Sequence, residues 1–252
     1  MPVRRLKLLS ANIQAGSSTR GYHDYVARSW SHVLPMGDKR GSLDTIARLA
    51  AGHDIVGLNE SDPGSLRSGF TNQTHYLAQR GGFAYWSHQP NRRMGGLASS
   101  ANGLLSKIEP RDVVNHALPG RIAGRGVLVA RFGARDDSLT IAIAHLSLGA
   151  SSRAAQLDFI ADLLQGHPNA VLMGDFNCTV DQPEMQVLFQ RTRLQAPAHR
   201  TPTFPSWRPQ RAIDHILLSD SLAPVCCSAV AAAFSDHLAL SVELDVPDAC
   251  LA

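Results

Sequence analysis

The chain has few cysteines, no long apolar run and no block of like charge. Its four cysteines, Cys178, Cys226, Cys227 and Cys250, show no C-x-x-C spacing, which argues against a zinc cage. Adjacent Cys226 and Cys227 are poorly disposed to pair with each other, so a reduced, cytoplasmic protein is the simpler expectation. The start, Met1-Pro-Val-Arg-Arg-Leu-Lys-Leu-Leu, is basic but lacks an apolar stretch of signal-peptide length, and no segment approaches a transmembrane helix. Stable membrane insertion is therefore not expected. Charged residues are only 18% of the 252, and the formal net charge is +3. Most cations are arginines scattered through loops, such as Arg92–Arg93, Arg121, Arg125 and Arg208–Arg211. Such a balance admits an anionic substrate but does not establish nucleic acid as a partner. With no repeat, low-complexity tract or linker, residues 1–252 read as one domain.

What is present is an ordinary apolar fraction of 44%, distributed with clear periodicity. Leu6–Ile13 reads as a strand ending at Asn12. Ser42–Ala51 reads as a helix with Ser42 as its cap, and Asp54–Asn59 as a strand ending at Glu60. Short strands are expected at Phe83–His88, Gly103–Ser106 and Asp112–His116, then a hairpin of Gly126–Phe132 and Leu139–His145 around residues 133–137. Ser151–Gln165 is an amphipathic helix with Ala154, Leu157, Ile160, Ala161 and Leu164 on one stripe and Ser151 or Ser152 as cap. Ala170–Met173, Ile213–Leu218 and Leu238–Val246 read as further strands. Strands outnumber helices, a pattern that favours packed sheets with helices outside.

The most informative block follows the apolar run Ala170–Met173: Gly174-Asp175-Phe176-Asn177. Asp175 and Asn177 lie two apart, where strand periodicity aims both at one side; a turn reading is open for that pair by itself. Other polar residues recur at strand ends. Asn12, Glu60 and His145 close strands, Asp214–His215 opens one after a Pro- and Arg-rich loop, and Asp236–His237 precedes the last. Each has a plain structural alternative: a turn for Asn12, Asp214 or Asp236, a surface acid for Glu60, a hydrogen-bonded core ring for His145. Together they suit phosphoester hydrolysis at a divalent metal. Mg²⁺ takes few carboxylates and keeps waters, with Glu60 as ligand and the Asn12 amide oxygen assisting. A carboxylate such as Asp175 can orient and deprotonate water. An imidazolium such as His237, held by an Asp, can neutralise charge on phosphoryl oxygens.

In this order the blocks resemble the endonuclease/exonuclease/phosphatase superfamily, from Leu6 to about Val246. They are Ser10-Ala11-Asn12-Ile13, Asp54-Ile55-Val56-Gly57-Leu58-Asn59-Glu60, Ala101-Asn102-Gly103-Leu104-Leu105-Ser106, Ala144-His145-Leu146, Gly174-Asp175-Phe176-Asn177, Ile213-Asp214-His215-Ile216 and Ser235-Asp236-His237. The resemblance implies a four-layer αββα sandwich, two packed, mostly antiparallel sheets flanked by helices, with the site at one end. It implies Asn12 and Glu60 as the metal-side pair, with Asp236 as a second acidic residue near the metal. His145 would contact phosphate, and Asp175 with Asn177 would address nucleophile and phosphate. Asp214 would orient His237, and Asn102 would be a polar residue on the substrate side. Asp175 is assigned as general base, with His237 as the alternative. The implied cofactor is Mg²⁺, with Mn²⁺ able to replace it.

Two positions depart from the pattern. Many repair nucleases carry an Asp two residues after the first Asn, where this chain has Gln14; a neutral amide there favours a single-metal site. The segment after Glu60, Ser61 to Gly69, lacks the pattern of abasic-site nucleases. Arg67, Arg92, Arg93 and Arg125 are candidate phosphate contacts, with solubilising surface charge as the plainer reading. In the loop Thr201-Pro202-Thr203-Phe204-Pro205-Ser206-Trp207-Arg208-Pro209, Trp207 either stacks on substrate or pins the loop to the body. The expected activity is a phosphodiesterase or nuclease, with phospholipid, small phosphomonoester or a silent scaffold as alternatives. No obligate protein partner is implied.

Overall fold

The computed structural model describes residues 2–16, 39–94, 98–121, 123–134, 137–230 and 234–251. Among them, twelve strands form two six-stranded sheets. One sheet contains β1 (Val3–Asn12), β2 (Ile55–Ser61), β3 (Tyr85–Met94), β4 (Ala98–Ser106), β11 (Ala223–Val230) and β12 (Ala239–Pro247). The other contains β5 (Asp112–Ala117), β6 (Gly126–Phe132), β7 (Leu139–His145), β8 (Ala170–Asp175), β9 (Leu194–Gln195) and β10 (Asp214–Ser219). Their spatial orders are β11-β12-β1-β2-β4-β3 and β5-β6-β7-β8-β10-β9. Each sheet is antiparallel except for one parallel pair, β1 with β2 and β7 with β8. A parallel pair needs a crossover, supplied by α1 (Lys39–Ala51) in the first case and α3 (Ala150–Leu164) in the second. The remaining helices are α2 (Gln73–Gly81) and α4 (Met185–Arg191).

Three apolar clusters define four layers. Leu6, Leu8, Ile55, Ile141, Met173 and Leu244 pack between the sheets. Leu9, Ala11, Val56 and Leu105 turn the other way, onto Ile46 of α1 and Leu77 of α2. Ala142, Leu172 and Leu217 pack against Leu157 and Ile160 of α3 and Leu188 of α4. The expected αββα sandwich is therefore present. It also explains why Ala170–Met173 is apolar at every position: β8 is central and covered on both faces. The last strand alternates as its sequence does, burying Leu240, Val242, Leu244 and Val246. No described helix is long and apolar enough to cross a membrane.

The helix starts differ from expectation. Helix α1 begins at Lys39, so Ser42 lies inside it and does not cap it. Gly149 is the N-cap of α3, not Ser151 or Ser152, and Ala154 is exposed while Arg153 and Gln156 are buried. The two polar residues turn inward because the loop before the helix needs partners: Arg153 Nη1 donates to Leu148 O at 2.5 Å, and Ser147 N donates to Gln156 Oε1 at 2.9 Å. Helix α2 was not evident, since its sequence is largely polar. Local capping defines it instead, with the Asn72 side chain accepting from His75 N at 3.1 Å and Gly82 closing it at φ 72°. Strand β11 has no buried alternation to read, because Ala223 to Ser228 are exposed. In the expected β6–β7 hairpin, residues 135 and 136 lie outside the described residues.

Candidate active site

The ends of the two parallel pairs meet at one end of the sandwich. In β1 and β2, Asn12 lies opposite Asn59; in β7 and β8, His145 lies opposite Asp175. Close approach at this point requires Gly174. A Cβ there would stand 1.9 Å from Ala144 O and 2.8 Å from Asn59 Oδ1, and the residue's φ is +139°. Glycine admits both the neighbouring strand and the Asn59 amide.

Asp175 sits at the centre, 2% exposed. Its Oδ2 accepts from Asn12 Nδ2 at 3.1 Å, and its Oδ1 from Asn177 N at 2.9 Å. Its own N–H donates to Asn59 Oδ1 at 2.8 Å. Burial, and then the charge of Asp214, push its carboxyl up to about 7, against the attraction of His237. Burial also holds His145 well below its usual value, with Arg125 and His237 adding to the effect. His145 is thus a neutral ring, its Nε2 3.5 Å from Asp175 Oδ2 and 3.9 Å from Glu60 Oε1.

His237 is the opposite case. Burial would lower it, but the charge and hydrogen bond of Asp214, with Asp175 and Asp236, raise it to about 10. Its Nδ1 donates to Asp214 Oδ2 at 2.8 Å, and its Nε2 lies 3.9 Å from both Asp175 Oδ2 and Asp236 Oδ1. The residues that hold this pair were not evident in the sequence. Thr203, fully buried, donates its hydroxyl to the same Asp214 oxygen at 2.5 Å. Phe204 packs on the His237 ring with centroids 4.9 Å apart. Ser206 N donates to Asp236 O at 2.7 Å, and Ser206 Oγ to Ser235 O at 2.7 Å. The loop of residues 201–209 therefore clamps Asp214, Asp236 and His237 from outside. The nearby T-P-T-F-P-S run was its visible trace.

Glu60 and Asn177 adopt positive φ, 58° and 55°. Such geometry in a non-glycine residue stores about 1–3 kcal/mol and clusters at functional sites. At Glu60 it accompanies a register shift between Leu58 and Ser61 that leaves the side chain 35% exposed. Among the described residues no donor hydrogen-bonds its carboxylate. Its charge raises both Asp175 and Asp236, each also raised by burial. Glu60 and the two carboxylates it repels, with the Asn12 amide oxygen, are hard donors whose charge a divalent cation would offset, so the residues fit Mg²⁺ or Mn²⁺. Asp175, Asp214 and His237 also bring ligand-type atoms within 4.8 Å of one another. Of these, Asp214 and His237 already share a hydrogen bond, which leaves Asp175 as their available donor.

The remaining residues expected at the site are placed as follows. Asn102 is fully buried beneath it. Its Oδ1 accepts from Asn59 Nδ2 at 2.9 Å, and its Nδ2 donates to Gly126 O at 2.8 Å and Gln89 Oε1 at 3.1 Å. Asn177 is half-buried and donates to Leu146 O at 2.9 Å. Trp207 is half-buried in the clamping loop. Arg125 is half-buried and close enough to His145 to lower it. The side chains of Arg67, Arg92 and Arg93 lie outside the described residues.

Comparison with known proteins bears on the fold and the family. An endonuclease/exonuclease/phosphatase protein from Beutenbergia cavernae superposes with a TM-score of 0.72 at 19% identity, covering 96% of this chain and 72% of that one. A mannosyl-6-phosphatase from Bacteroides thetaiotaomicron gives 0.68 at 15% identity, over 95% and 99%. The catalytic domain of human Nocturnin, with a bound sulfate anion, gives 0.66 at 16%, over 95% and 94%. No curated protein matches the sequence. The family model for the endonuclease/exonuclease/phosphatase family matches residues 9–237, and the chain belongs to that family of phosphoesterases, which use divalent metals.

Proposed function

We propose that this chain is a Mg²⁺-dependent phosphodiesterase of the nuclease type, in which water attacks the phosphoryl group, with Mn²⁺ able to replace Mg²⁺. One observation carries the reading: a buried imidazolium, His237, lies 3.9 Å from a buried carboxyl, Asp175, held near neutrality. A proton acceptor and a fixed positive charge thus share one water-poor site. Glu60, Asn12 and Asp236 would hold the cation, which would supply Lewis acidity toward the phosphoryl and leaving oxygens. Asp175, oriented by Asn12 and the Asn177 N–H, takes the proton of the attacking water. His237 stabilises negative charge on the phosphoryl oxygens, and Asp214 keeps it charged and in place. The Asn177 amide has a second N–H for the same oxygens, and neutral His145 donates a hydrogen bond there. Arg125 adds charge at the rim. A diester carries one negative charge and a monoester two, and a single buried imidazolium amid acids suits the former. The mannosyl-6-phosphatase neighbour supports a second reading, a small phosphomonoester.

Turnover of bis(p-nitrophenyl) phosphate and p-nitrophenyl phosphate with Mg²⁺, Mn²⁺ and EDTA tests this, followed by DNA, RNA and phospholipid vesicles. Faster diester turnover, abolished by EDTA and by Asp175→Ala, is expected. No turnover on any substrate with either metal, with Asp175→Ala indistinguishable from the parent, would overturn it. Faster monoester turnover selects the second reading.

A further inference from the structure

Two of the residues assigned to the cation, Asn12 and Glu60, stand where the first sheet stops being regular. Asn12 and Asn59 are the last paired residues of β1 and β2, and Ile13 N donates to Asn59 O at 3.0 Å. At this point both segments leave the sheet through left-handed backbone: Gln14 and Ala15 at φ 45° and 50°, and Glu60 at φ 58°. Non-glycine residues keep such geometry only where their surroundings dictate it. One side chain spans the two segments. Gln73, the first residue of α2 and 1% exposed, accepts from Asp62 N at 2.8 Å and donates to Ala15 O at 2.9 Å.

The near side of this link is firmly built. Gln73 N also donates to Asp62 O at 2.9 Å, and the Thr74 hydroxyl donates to Ser61 Oγ at 3.1 Å. Asp62 is itself fixed, its carboxylate accepting from Gly64 N, Ser65 N and the hydroxyls of Ser65 and Ser68. The far side crosses 58 residues of sequence to Ala15, a contact that docking α2 on its own loop does not need. Ala15 shares a short turn with Gln14, whose N–H donates to Asn12 Oδ1 at 3.2 Å. The Asn12 amide is thus oriented by a turn that Gln73 holds. An amide suits the task, because one planar head presents an acceptor and a donor. Asp62 and Ala15 are both buried, where unpaired backbone groups are costly.

We propose that Gln73 is a positioning residue for the divalent cation. By tying together the turns after Asn12 and Glu60 it sets the separation of the two donors, although it hydrogen-bonds neither. The inference rests on the proposed assignment of Asn12 and Glu60 to the metal. Groups that hold metal ligands in place are typically worth about 10–100-fold in affinity.

The test uses the whole chain with Mn²⁺ as probe, bound and free ion being distinguished by electron paramagnetic resonance. Gln73→Met keeps the length but neither polar bond, and Gln73→Asn keeps an amide too short to span both groups. The dissociation constant should rise about tenfold in the first and at least about threefold in the second. The Mg²⁺ concentration for half-maximal diester turnover should rise by the same factors, with most of the lost rate recovered at saturating Mg²⁺. His237 should stay charged at pH 7.5 with EDTA present, since Asp214 holds that proton at 2.8 Å. Leu77→Val, a buried change further along α2, should lower the melting temperature comparably yet leave Mn²⁺ affinity within about twofold. Folded Gln73→Asn that binds Mn²⁺ as wild type does would overturn the proposal alone. Equal weakening in Leu77→Val, or a neutral His237 in the Gln73 variants, would do the same by showing a general loosening of the fold. Mn²⁺ binding absent from wild type, or unchanged in Glu60→Gln, would overturn the ligand assignment and this proposal with it.

Discussion

The charge on His237 is set by Asp214, and Asp214→Asn should remove it. An ordinary imidazole titrates near 6.5, whereas His237 is raised to about 10, a difference of about 5 kcal/mol in favour of the imidazolium. Burial works against that charge, so the whole excess comes from neighbours. Asp214 is the largest of them, acting through charge and through the 2.8 Å hydrogen bond. An amide at 214 keeps an acceptor but not the charge, and burial then dominates. His237 should titrate below pH 7 in Asp214→Asn, leaving a neutral ring at pH 7.5. Losing one preorganised charge of this kind costs about 10²–10³-fold in turnover. Nitrogen-detected NMR of the imidazole with EDTA present reads the titration directly, and diester kinetics at pH 7.5 read the consequence. Stability should follow the same proton. The folded value lies above the unfolded one, so the folded chain binds the extra proton; its contribution is complete below pH 6.5 and is lost as pH rises toward 10. Wild type should therefore weaken across that alkaline window and Asp214→Asn should not. A wild-type ring titrating near 6.5, or a variant ring still charged above pH 9, would refute the reasoning.

Thr203→Val should lower kcat about tenfold with KM unchanged and cost about 1.5–3 kcal/mol of stability, because it strips a charge-assisted bond from buried Asp214; Thr203→Ser should restore both, and an unchanged kcat would show that Thr203 positions nothing. Asp175→Asn should abolish turnover yet stabilise the fold above pH 7 in EDTA by about 1–2 kcal/mol, seen as a higher melting temperature, since burial and Asp214 disfavour the Asp175 charge. A lower melting temperature would show that the carboxylate is stabilised where it sits. Gly174→Ala should unfold the chain or cost more than about 3 kcal/mol, given a Cβ 1.9 Å from Ala144 O at φ +139°; denaturant melts within about 1 kcal/mol of wild type would contradict the packing at the strand ends.

Strands covered on both faces or alternating in burial were legible because side-chain period and layer geometry are the same fact. Ala170–Met173 and Leu238–Val246 are the clearest cases. Strand ends were legible too, since a polar residue after an apolar run must face either solvent or a site, as Asn12, Glu60, His145 and Asp175 do. Partners supplied from elsewhere in the chain were not. Asn59 sits in an apolar run and looks like strand filler, yet its amide joins Asp175 to Asn102 across the two sheets. Thr203 lies eleven residues from Asp214 on a Pro-rich loop, and only the folded path brings its hydroxyl to that carboxylate. Asn102 has the residue type of a substrate contact, but β4 carries it into the core, where four protein groups use its amide. The polar turns of α2 were hidden for a different reason: capping by Asn72 and Gly82, not an apolar stripe, fixes its ends.

The two sheets repeat one topology, and the repeat explains how the site divides its chemistry. The order β12-β1-β2-β4-β3 maps onto β6-β7-β8-β10-β9, each with one parallel pair bridged by a helix. Register then equates Asn12 with His145, and Asn59 with Asp175. The next strand extends the match: Leu58 opposes Gly103 as Gly174 opposes His215, which equates Asn102 with Asp214. One half thus contributes three amides where the other contributes an imidazole and two acids. Neutral amides can satisfy buried carboxylates without adding charge to a site already crowded with it. Two acidic rows facing each other would repel at the depth where Asp175 is already raised to about 7. The exception is Glu60, one residue beyond Asn59, where the matching residue beyond Asp175 is the buried Phe176. The register shift at Leu58–Ser61 and the positive φ carry Glu60 out of the core to a half-exposed position. At the matched positions the amide half therefore adds one carboxylate near the surface, suited to a hydrated cation, beside Asp236 and His237 from the turn before β12, while the other half keeps His145, Asp175 and Asp214 buried.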